Sequence, residues 1–240
     1  MKRGSIETYR LIASLPKRDI MILARNTCKH HHSYLAHPKC AFQEGLIITK
    51  NGVEIEIKEK IGFLDMENFS FQMKADMGFT LTYVIKELDG DIIKNSVTIE
   101  ELRNKVEDKR LLQDFVKDIK KFTRVITYYG TGFDLPFLRT RCLMQMLDFP
   151  IYHQIYHTDL YYNIRNKFLL RSKSLKHTCD TFHIPAKATP FKWDTWKDAV
   201  IKGNETALNL ILRHNVEDVI STELLWKKVS LFNQINRRSI

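Results

Sequence analysis

The sequence predicts an α/β domain with a mixed five-stranded sheet flanked by helices, preceded by a small N-terminal appendage. The first observation is segment order: three strand patterns joined by short turns precede a helix, a strand, a helix, a strand and terminal helices. The second is that acidic residues stand on or directly after these strands, where a sheet presents side chains to a ligand. The third is that 240 residues, 44% of them hydrophobic, suffice for one substantial core.

Composition narrows the classes of function. No apolar run approaches the roughly 18 residues of a membrane span, and the N-terminal residues lack the apolar stretch of a signal peptide. Four cysteines in a chain of this length do not form a disulfide scaffold, so we expect a cytoplasmic protein without a membrane partner. The net charge of +10 and the pI of about 9.4 favour a polyanionic partner, above all nucleic acid.

Residues 1–45 are predicted to form a small basic unit that is separate from the domain over 46–240. A short helix is predicted over 5–14, and a second over 17–25 after the break at Pro16. Two short helices around a tight turn are compatible with a DNA-reading helix-turn-helix. Helical hairpins are also common in proteins that read no DNA.

Cysteine and histidine are concentrated in the second half of this unit. Thiolate and imidazole are the ligands that tetrahedral Zn²⁺ prefers. The predicted ligands of one structural zinc ion are Cys28, His32, His37 and Cys40. His30 or His31 could replace His32, because loop geometry does not choose among consecutive histidines. The alternative is a reduced, solvated loop, since the spacing matches no standard finger. Such a zinc unit would position nucleic acid rather than catalyse.

The domain over 46–240 begins with strand patterns. A hairpin is predicted over 46–57 across the turn Asn51-Gly52. Three further strands form an antiparallel meander and are predicted at 61–68, 79–86 and 92–99.

The strand over 61–68 carries two carboxylates, Asp65 and Glu67, separated by one residue. Side chains two apart on a strand share a face, which here also carries Phe63, while Leu64 and Met66 take the other. Neighbouring desolvated carboxylates repel, and one or two hard cations would resolve that conflict. The alternative is an exposed strand end whose acids face water.

A third acid follows the next strand. A helix is predicted over 111–122 and an interior strand over 125–129, after which a glycine-rich turn leads into a helix over 135–147. Asp134 stands at this junction and is a natural helix N-cap. The carboxyl end of a strand is also where a sheet presents ligands, so the two roles are compatible.

A fifth short strand over 155–159 ends at Asp159, which could cap the helix that follows. Further helices are predicted over 160–167 and 174–182. The aromatic residues beyond them could stack on bases, although core packing is the commoner use; they are Phe191, Trp193 and Trp196.

The last helix is predicted over 204–231. His214 and Asp218 are four residues apart and therefore share a helical face, whereas Glu217 is expected to face solvent. The alternative is an ordinary acid and histidine pair on a solvated face.

Three motifs in these segments resemble those of the DEDD 3′–5′ exonucleases of the ribonuclease H-like superfamily. They are Phe-Leu-Asp65-Met-Glu67, Gly-Thr-Gly-Phe-Asp134 and His214-Asn-Val-Glu-Asp218. The resemblance covers residues 61–230 and implies a ribonuclease H-like fold with metal-dependent hydrolysis of phosphodiester bonds. His157-Thr-Asp159 and His214-Asn-x-x-Asp218 further resemble a group of predicted exonucleases of this superfamily from phages and prokaryotes.

The resemblance implies a site for two Mg²⁺ or Mn²⁺ ions. Asp65 would bridge both ions, Glu67 and Asp218 would complete the site of the water-bearing ion, and Asp134 would support the second. His214 would accept the proton of the attacking water.

His157 and Asp159 would contact the substrate or support the ligands.

The spacing of the last motif departs from the family, whose branches carry a His five residues before the final Asp or a Tyr four before it. Here a His stands four residues before Asp218. One residue turns a helical side chain by about 100°, so the role of His214 as a base is less secure than metal binding.

The expected partner is nucleic acid, DNA rather than RNA, with replication or repair proteins as further expected partners. An endonuclease or junction resolvase is the alternative enzyme, because the same fold and metals can cut internally. The alternative outside enzymes is a nucleic-acid-binding or polymerase-accessory module, against which the complete acidic quartet argues.

Overall fold

The structure is a computed structural model of the whole chain. It describes residues 60–151, 154–185 and 192–232 in full, the strand backbones at 46–50 and 53–57, and residues 13, 20, 23, 24, 28, 30–37 and 40. The predicted turn at Asn51-Gly52 and Phe191 lie outside the described residues. So do the predicted helices at 5–14 and 17–25, apart from four positions that are helical.

The described strands form two sheets. Strands β1 (Leu46–Lys50) and β2 (Val53–Ile57) pair antiparallel as a separate hairpin. The main sheet contains β3 (Ile61–Ser70), β4 (Gly78–Glu87), β5 (Ile92–Ser96), β6 (Arg124–Thr127) and β7 (Tyr156–Asp159). Its order is β5-β4-β3-β6-β7, with β3 antiparallel to β4 and parallel to β6. The mixed five-stranded sheet predicted from the sequence is confirmed.

Helices cover both faces of this sheet. They are α1 (Ile99–Arg103), α2 (Lys109–Ile119), α3 (Asp134–Met144), α4 (Leu160–Lys167), α5 (Leu175–Thr181), α6 (Trp193–Ile201) and α7 (Glu205–Val229). Helix α6 was not predicted from the sequence. Within the described part of the chain, no helix has the length and apolar character needed to cross a membrane.

The predicted strand at 92–99 is too long, because β5 ends at Ser96. Thr98 instead caps α1: its side chain accepts the backbone N–H of Glu101, and the Glu101 carboxylate accepts the N–H of Thr98. This reciprocal capping box satisfies two backbone N–H groups, which in a continuing strand would have to bond to a neighbouring strand.

The two faces of β3 serve different cores. Leu64 and Met66 belong to a core with α2, α3 and α6, whereas Phe63 belongs to a second core with α4 and α5. Helix α7 contributes to both, through Ile211 to the first and Val219 to the second. The turns of α7 between these residues therefore cross beside the strand face that carries the acids.

A buried ion pair ties α3 to the start of α2. The Arg141 guanidinium donates to both carboxylate oxygens of Asp108, at 3.0 and 2.7 Å, and both side chains are buried. Asp108 also accepts the N–H of Thr80 on β4 at 2.8 Å. Loss of either side chain would leave the other as an uncompensated buried charge, which lowers the stability of the folded protein by about 3–5 kcal/mol.

Candidate active site

Strand β3 delivers the first two acids as predicted. Asp65 and Glu67 alternate with Leu64 and Met66, which are buried in the core on the opposite face. A register shift follows at Glu67/Asn68 in the pairing with β4. Such a bulge redirects the side chains beyond it, so the strand keeps regular alternation only as far as its second acid.

Asn215 of α7 holds Asp65. Its side-chain amide donates a hydrogen bond to Asp65 Oδ2 at 2.6 Å, and the Asn215 side chain is fully buried. Asn215 Oδ1 has no hydrogen-bond partner among the described residues. Sequence reasoning missed this residue, although a short amide next to His214 on a buried helical face was the available signal.

His214 lies between two carboxylates. Its Nε2 atom is 3.5 Å from Asp218 Oδ2 and 3.8 Å from Glu67 Oε1. The imidazole is buried, with the Trp196 ring edge-on at 5.9 Å between ring centres. The ligand atoms of the two acids and the imidazole all lie within 4.8 Å of one another. The four-residue spacing therefore still brings the imidazole to the acids.

Asp134 is not the helix cap that the sequence suggested. It is the first residue of α3, while Phe133 occupies the cap position without a side-chain hydrogen bond. The carboxylate of Asp134 instead accepts the backbone N–H of Met66, between the two acids of β3. Burial, reinforced by repulsion from Asp159 and Asp218, raises the pKa of Asp134 to about 7.

Asp159 fixes the loop that carries Asp134. Its carboxylate accepts the N–H groups of Tyr129 and Thr131 at 2.9 and 2.8 Å. It also accepts the N–H of Tyr161 at 3.1 Å, so the predicted cap of α4 is confirmed. One buried carboxylate thereby sets the path of the glycine-rich turn.

His157 supports the same loop through Thr127. The imidazole Nε2 and Thr127 Oγ1 share a hydrogen bond of 2.8 Å, and Thr127 Oγ1 accepts the N–H of Gly130 at 3.1 Å. A Cβ at Gly130 would lie 2.3 Å from Thr127 Oγ1, so only glycine permits this close approach. In the contacts that the structure describes, His157 and Asp159 both stabilise the glycine-rich loop.

Glu217 is not the solvent-facing residue that the sequence predicted. Its side chain is only 17% exposed and pairs with Arg213 at 3.2 Å, one helical turn earlier. The prediction was wrong because a helical wheel does not show the neighbours that cover a face.

The two tryptophans of α6 differ in burial. Trp196 is buried in the first core, as core packing predicted. Trp193 is 46% exposed and stacks on Phe69 with ring centres 5.7 Å apart.

A separate cluster lies in the N-terminal unit. Its ligand atoms all lie within 4.8 Å of one another and belong to Cys28, His30, His37 and Cys40. Of the three histidines that the sequence left open, the structure places His30 in the cluster, whereas His32 lies outside it. His31 has a positive φ of 59°, and this local turn was not readable from three consecutive histidines.

The donors at this site fit hard divalent cations. The Glu67 and Asp218 carboxylates lie within ligand range of the His214 imidazole, and Asn215 of the same helix bonds to Asp65. Carboxylate oxygens are ligands that Mg²⁺ and Mn²⁺ prefer. The residues that could hold such ions are Asp65, Glu67, Asp134 and Asp218. The Cys and His cluster instead offers the soft donors typical of zinc.

Comparison with known proteins agrees with this architecture. No curated protein matches the sequence. Among solved structures, a family B DNA polymerase from the hyperthermophilic archaeon Pyrobaculum calidifontis is similar, with a TM-score of 0.58 and 16% sequence identity. The similarity covers 73% of this chain but only 25% of the polymerase, and at this identity it shows the fold alone. The model of the RNase H superfamily matches residues 62–230, and because this is most of the sequence, the chain belongs to that superfamily.

Proposed function

We propose that the protein is a metal-dependent 3′–5′ exonuclease that hydrolyses phosphodiester bonds of nucleic acid. The observation that carries the proposal is that the Glu67 and Asp218 carboxylates meet at one buried imidazole, that of His214. Asp65 lies on the same strand as Glu67, two residues before it, and the Asp134 carboxylate is close enough to Asp218 to be repelled by it. A structural or purely binding domain has no use for several desolvated acids at one place. Membership of the RNase H superfamily supports a nuclease-type activity.

Two Mg²⁺ or Mn²⁺ ions would activate water and stabilise the leaving oxygen when held by these carboxylates. The protein's own contribution is to fix the donors before substrate arrives. Asn215 orients Asp65 through its amide, and the N–H of Met66 orients Asp134. His214, between Glu67 and Asp218, is placed to accept the proton of an attacking water.

DNA is the proposed substrate, with replication or repair proteins as proposed partners. The excess of ten positive charges favours a polyanion. The fold similarity to a DNA polymerase is consistent with a nucleic-acid substrate.

The test is digestion of single-stranded and duplex DNA and RNA, each labelled at either end, with Mg²⁺, Mn²⁺ or EDTA. A ladder that shortens from the 3′ end and disappears in EDTA is the expected result. Internal fragments would assign an endonuclease instead. If the protein binds nucleic acid but none of the four substrates gives a divalent-dependent product, only the alternative of an accessory module remains.

His214→Ala is expected to lower the turnover rate by about 10² to 10⁴-fold, the usual contribution of one general base. The acids remain, so metal affinity should fall less than turnover. His183→Ala is the matched control, because His183 is exposed and lies outside the acid cluster. Steady-state kinetics against pH decide: an unchanged rate and pH profile in His214→Ala would remove this residue from the reaction.

We also propose that the N-terminal unit holds one structural zinc ion through Cys28, His30, His37 and Cys40. Both histidines face the sulfur atoms with Nδ1, and the four N···S separations run from 3.3 to 3.7 Å. Zn–S and Zn–N bonds of about 2.3 and 2.1 Å at tetrahedral angles give an N···S edge of about 3.6 Å. Both sulfur atoms belong to buried cysteines, so the ligands already have the size of a zinc site.

The purified protein is expected to contain about one zinc ion per chain, and Cys28→Ala/Cys40→Ala less than about 0.2. His32→Ala is the matched control and should keep the metal, because His32 lies outside the ligand group. Elemental analysis after metal-replete expression measures both. Retention of zinc in the double cysteine variant, or its loss in His32→Ala alone, would overturn the assignment.

A further inference from the structure

A cavity of about 520 Å³ lies beside the loop that carries Asp134. Its lining residues come from the end of β6, the start of α4 and the segment before α5; they are Tyr128, Tyr129, Tyr161, Arg171, Ser172, Lys173, Ser174 and Leu175. This volume falls in the range of ligand sites, roughly 300 to 1,000 Å³. Among the described residues that line it, none is acidic and two are cationic, so the cavity favours an anionic ligand.

Tyr129 presents an aromatic ring at the cavity. Its side chain is 46% exposed, and its backbone has a φ of 68°, a conformation that is uncommon for a bulky residue. Asp159 holds the N–H of Tyr129, and the ring of Tyr161 supports the Tyr129 ring edge-on at 4.8 Å. A Cβ at Gly132 would lie 2.5 Å from the Tyr129 ring. The ring is therefore held against the backbone of the acid-bearing loop.

Arg171 supplies charge on the opposite segment. It is exposed and makes no hydrogen bond or ion pair within the described part of the chain. Lys173 instead donates to the carbonyl of Leu170 at 2.7 Å. The segment itself is anchored, since the Tyr128 hydroxyl donates to the carbonyl of Lys173 at 2.6 Å. An uncommitted guanidinium thus faces the same cavity as the tyrosine ring.

We propose that this cavity binds one unpaired nucleotide of a single-stranded nucleic acid, with its base on Tyr129 and its phosphate on Arg171. The proposal rests on the proposed nuclease function and specifies its substrate. A base in a duplex is already stacked on both faces, whereas an unpaired base has a free face for an aromatic side chain. Because Tyr129 and Asp134 belong to one loop, a nucleotide held here would lie on the segment that leads to Asp134, and its strand would already be unpaired.

The experiment measures binding without hydrolysis. Fluorescence anisotropy of a short labelled oligothymidylate and of a labelled duplex is recorded for the full chain in EDTA. Tyr129→Ala should weaken single-strand binding by about 5- to 100-fold, the usual effect of losing one base stack. Tyr129→Phe keeps the ring and should bind like the wild type. Duplex affinity should change little in either variant.

Arg171→Ala tests the charge without touching the strained loop. Its matched control is Lys176→Ala, which removes the same charge from an exposed residue that pairs with Asp180 outside the cavity. Arg171→Ala should weaken single-strand binding severalfold more than Lys176→Ala does. Equal losses in these two variants, or equal losses of single-strand and duplex binding in Tyr129→Ala, would overturn the proposal. Intact selective binding without hydrolysis in any metal would refute the nuclease and leave the cavity assignment standing.

Discussion

Asp65→Asn is expected to lower metal-dependent hydrolysis by about 10³-fold or more while leaving the protein folded. The amide is nearly the size of the carboxylate but is a poor ligand for a hard cation. The variant residue can still accept the Asn215 hydrogen bond through its own oxygen, so the link between β3 and α7 survives. Turnover of end-labelled single-stranded DNA with Mg²⁺ measures the effect, and thermal unfolding in EDTA checks the fold.

Asp180→Asn is the matched control for this substitution. Asp180 is an exposed acid on α5 that pairs with Lys176. Its substitution by asparagine therefore removes the same charge as Asp65→Asn does, but at a position away from the acid cluster. Its rate should equal that of the wild type. A folded Asp65→Asn protein with nearly wild-type turnover would exclude a bridging role for Asp65 and with it the two-metal proposal.

The acid face of β3 was predictable because alternation on a strand is a local property. Phe63 and Leu64 separate into two cores as the period of two requires. The shared face of His214 and Asp218 was also predictable, since a helical period of 3.6 places residues four apart beside each other. Both predictions depend only on residues within one element.

Contacts between distant elements were not predictable in the same way. The buried Asn215 looks like any polar helical residue until β3 supplies Asp65 as its partner. Arg141 and Asp108 are 33 residues apart, and neither belongs to a motif. The sequence predicts Asp134 as a cap because its neighbours in sequence form a turn, but its carboxylate bonds to its own backbone N–H and to that of Met66 on another element.

Asp134→Asn is expected to abolish activity and yet stabilise the metal-free protein. The pKa of Asp134 is about 7 instead of the ordinary 3.8, chiefly because the carboxylate is buried. The folded state therefore binds this proton more tightly than the unfolded state. Stability from Asp134 is fully present below about pH 4 and is lost as the pH rises through about 7, by about 4 kcal/mol at most. Asparagine keeps the hydrogen bond from Met66 and carries no charge to desolvate.

Urea unfolding in EDTA at about pH 4 and about pH 8 measures this difference. The stability of Asp134→Asn relative to wild type should increase by about 2 to 4 kcal/mol between the two pH values. Asp180→Asn, which removes an exposed charge, should show no comparable increase. A relative stability that does not change with pH would show that burial of Asp134 does not strain the metal-free fold.

Added Mg²⁺ or Mn²⁺ should narrow the difference in stability between the two proteins at about pH 8. A ligand that binds only the folded state stabilises it by RT ln(1 + [L]/Kd), and wild type keeps all four carboxylates, whereas Asp134→Asn has lost one. The metal should therefore raise the stability of wild type more than that of the variant. If both proteins gain equally, the cation binds without Asp134. If only wild type gains, the desolvated carboxylate that weakens the empty fold is the one that holds the metal.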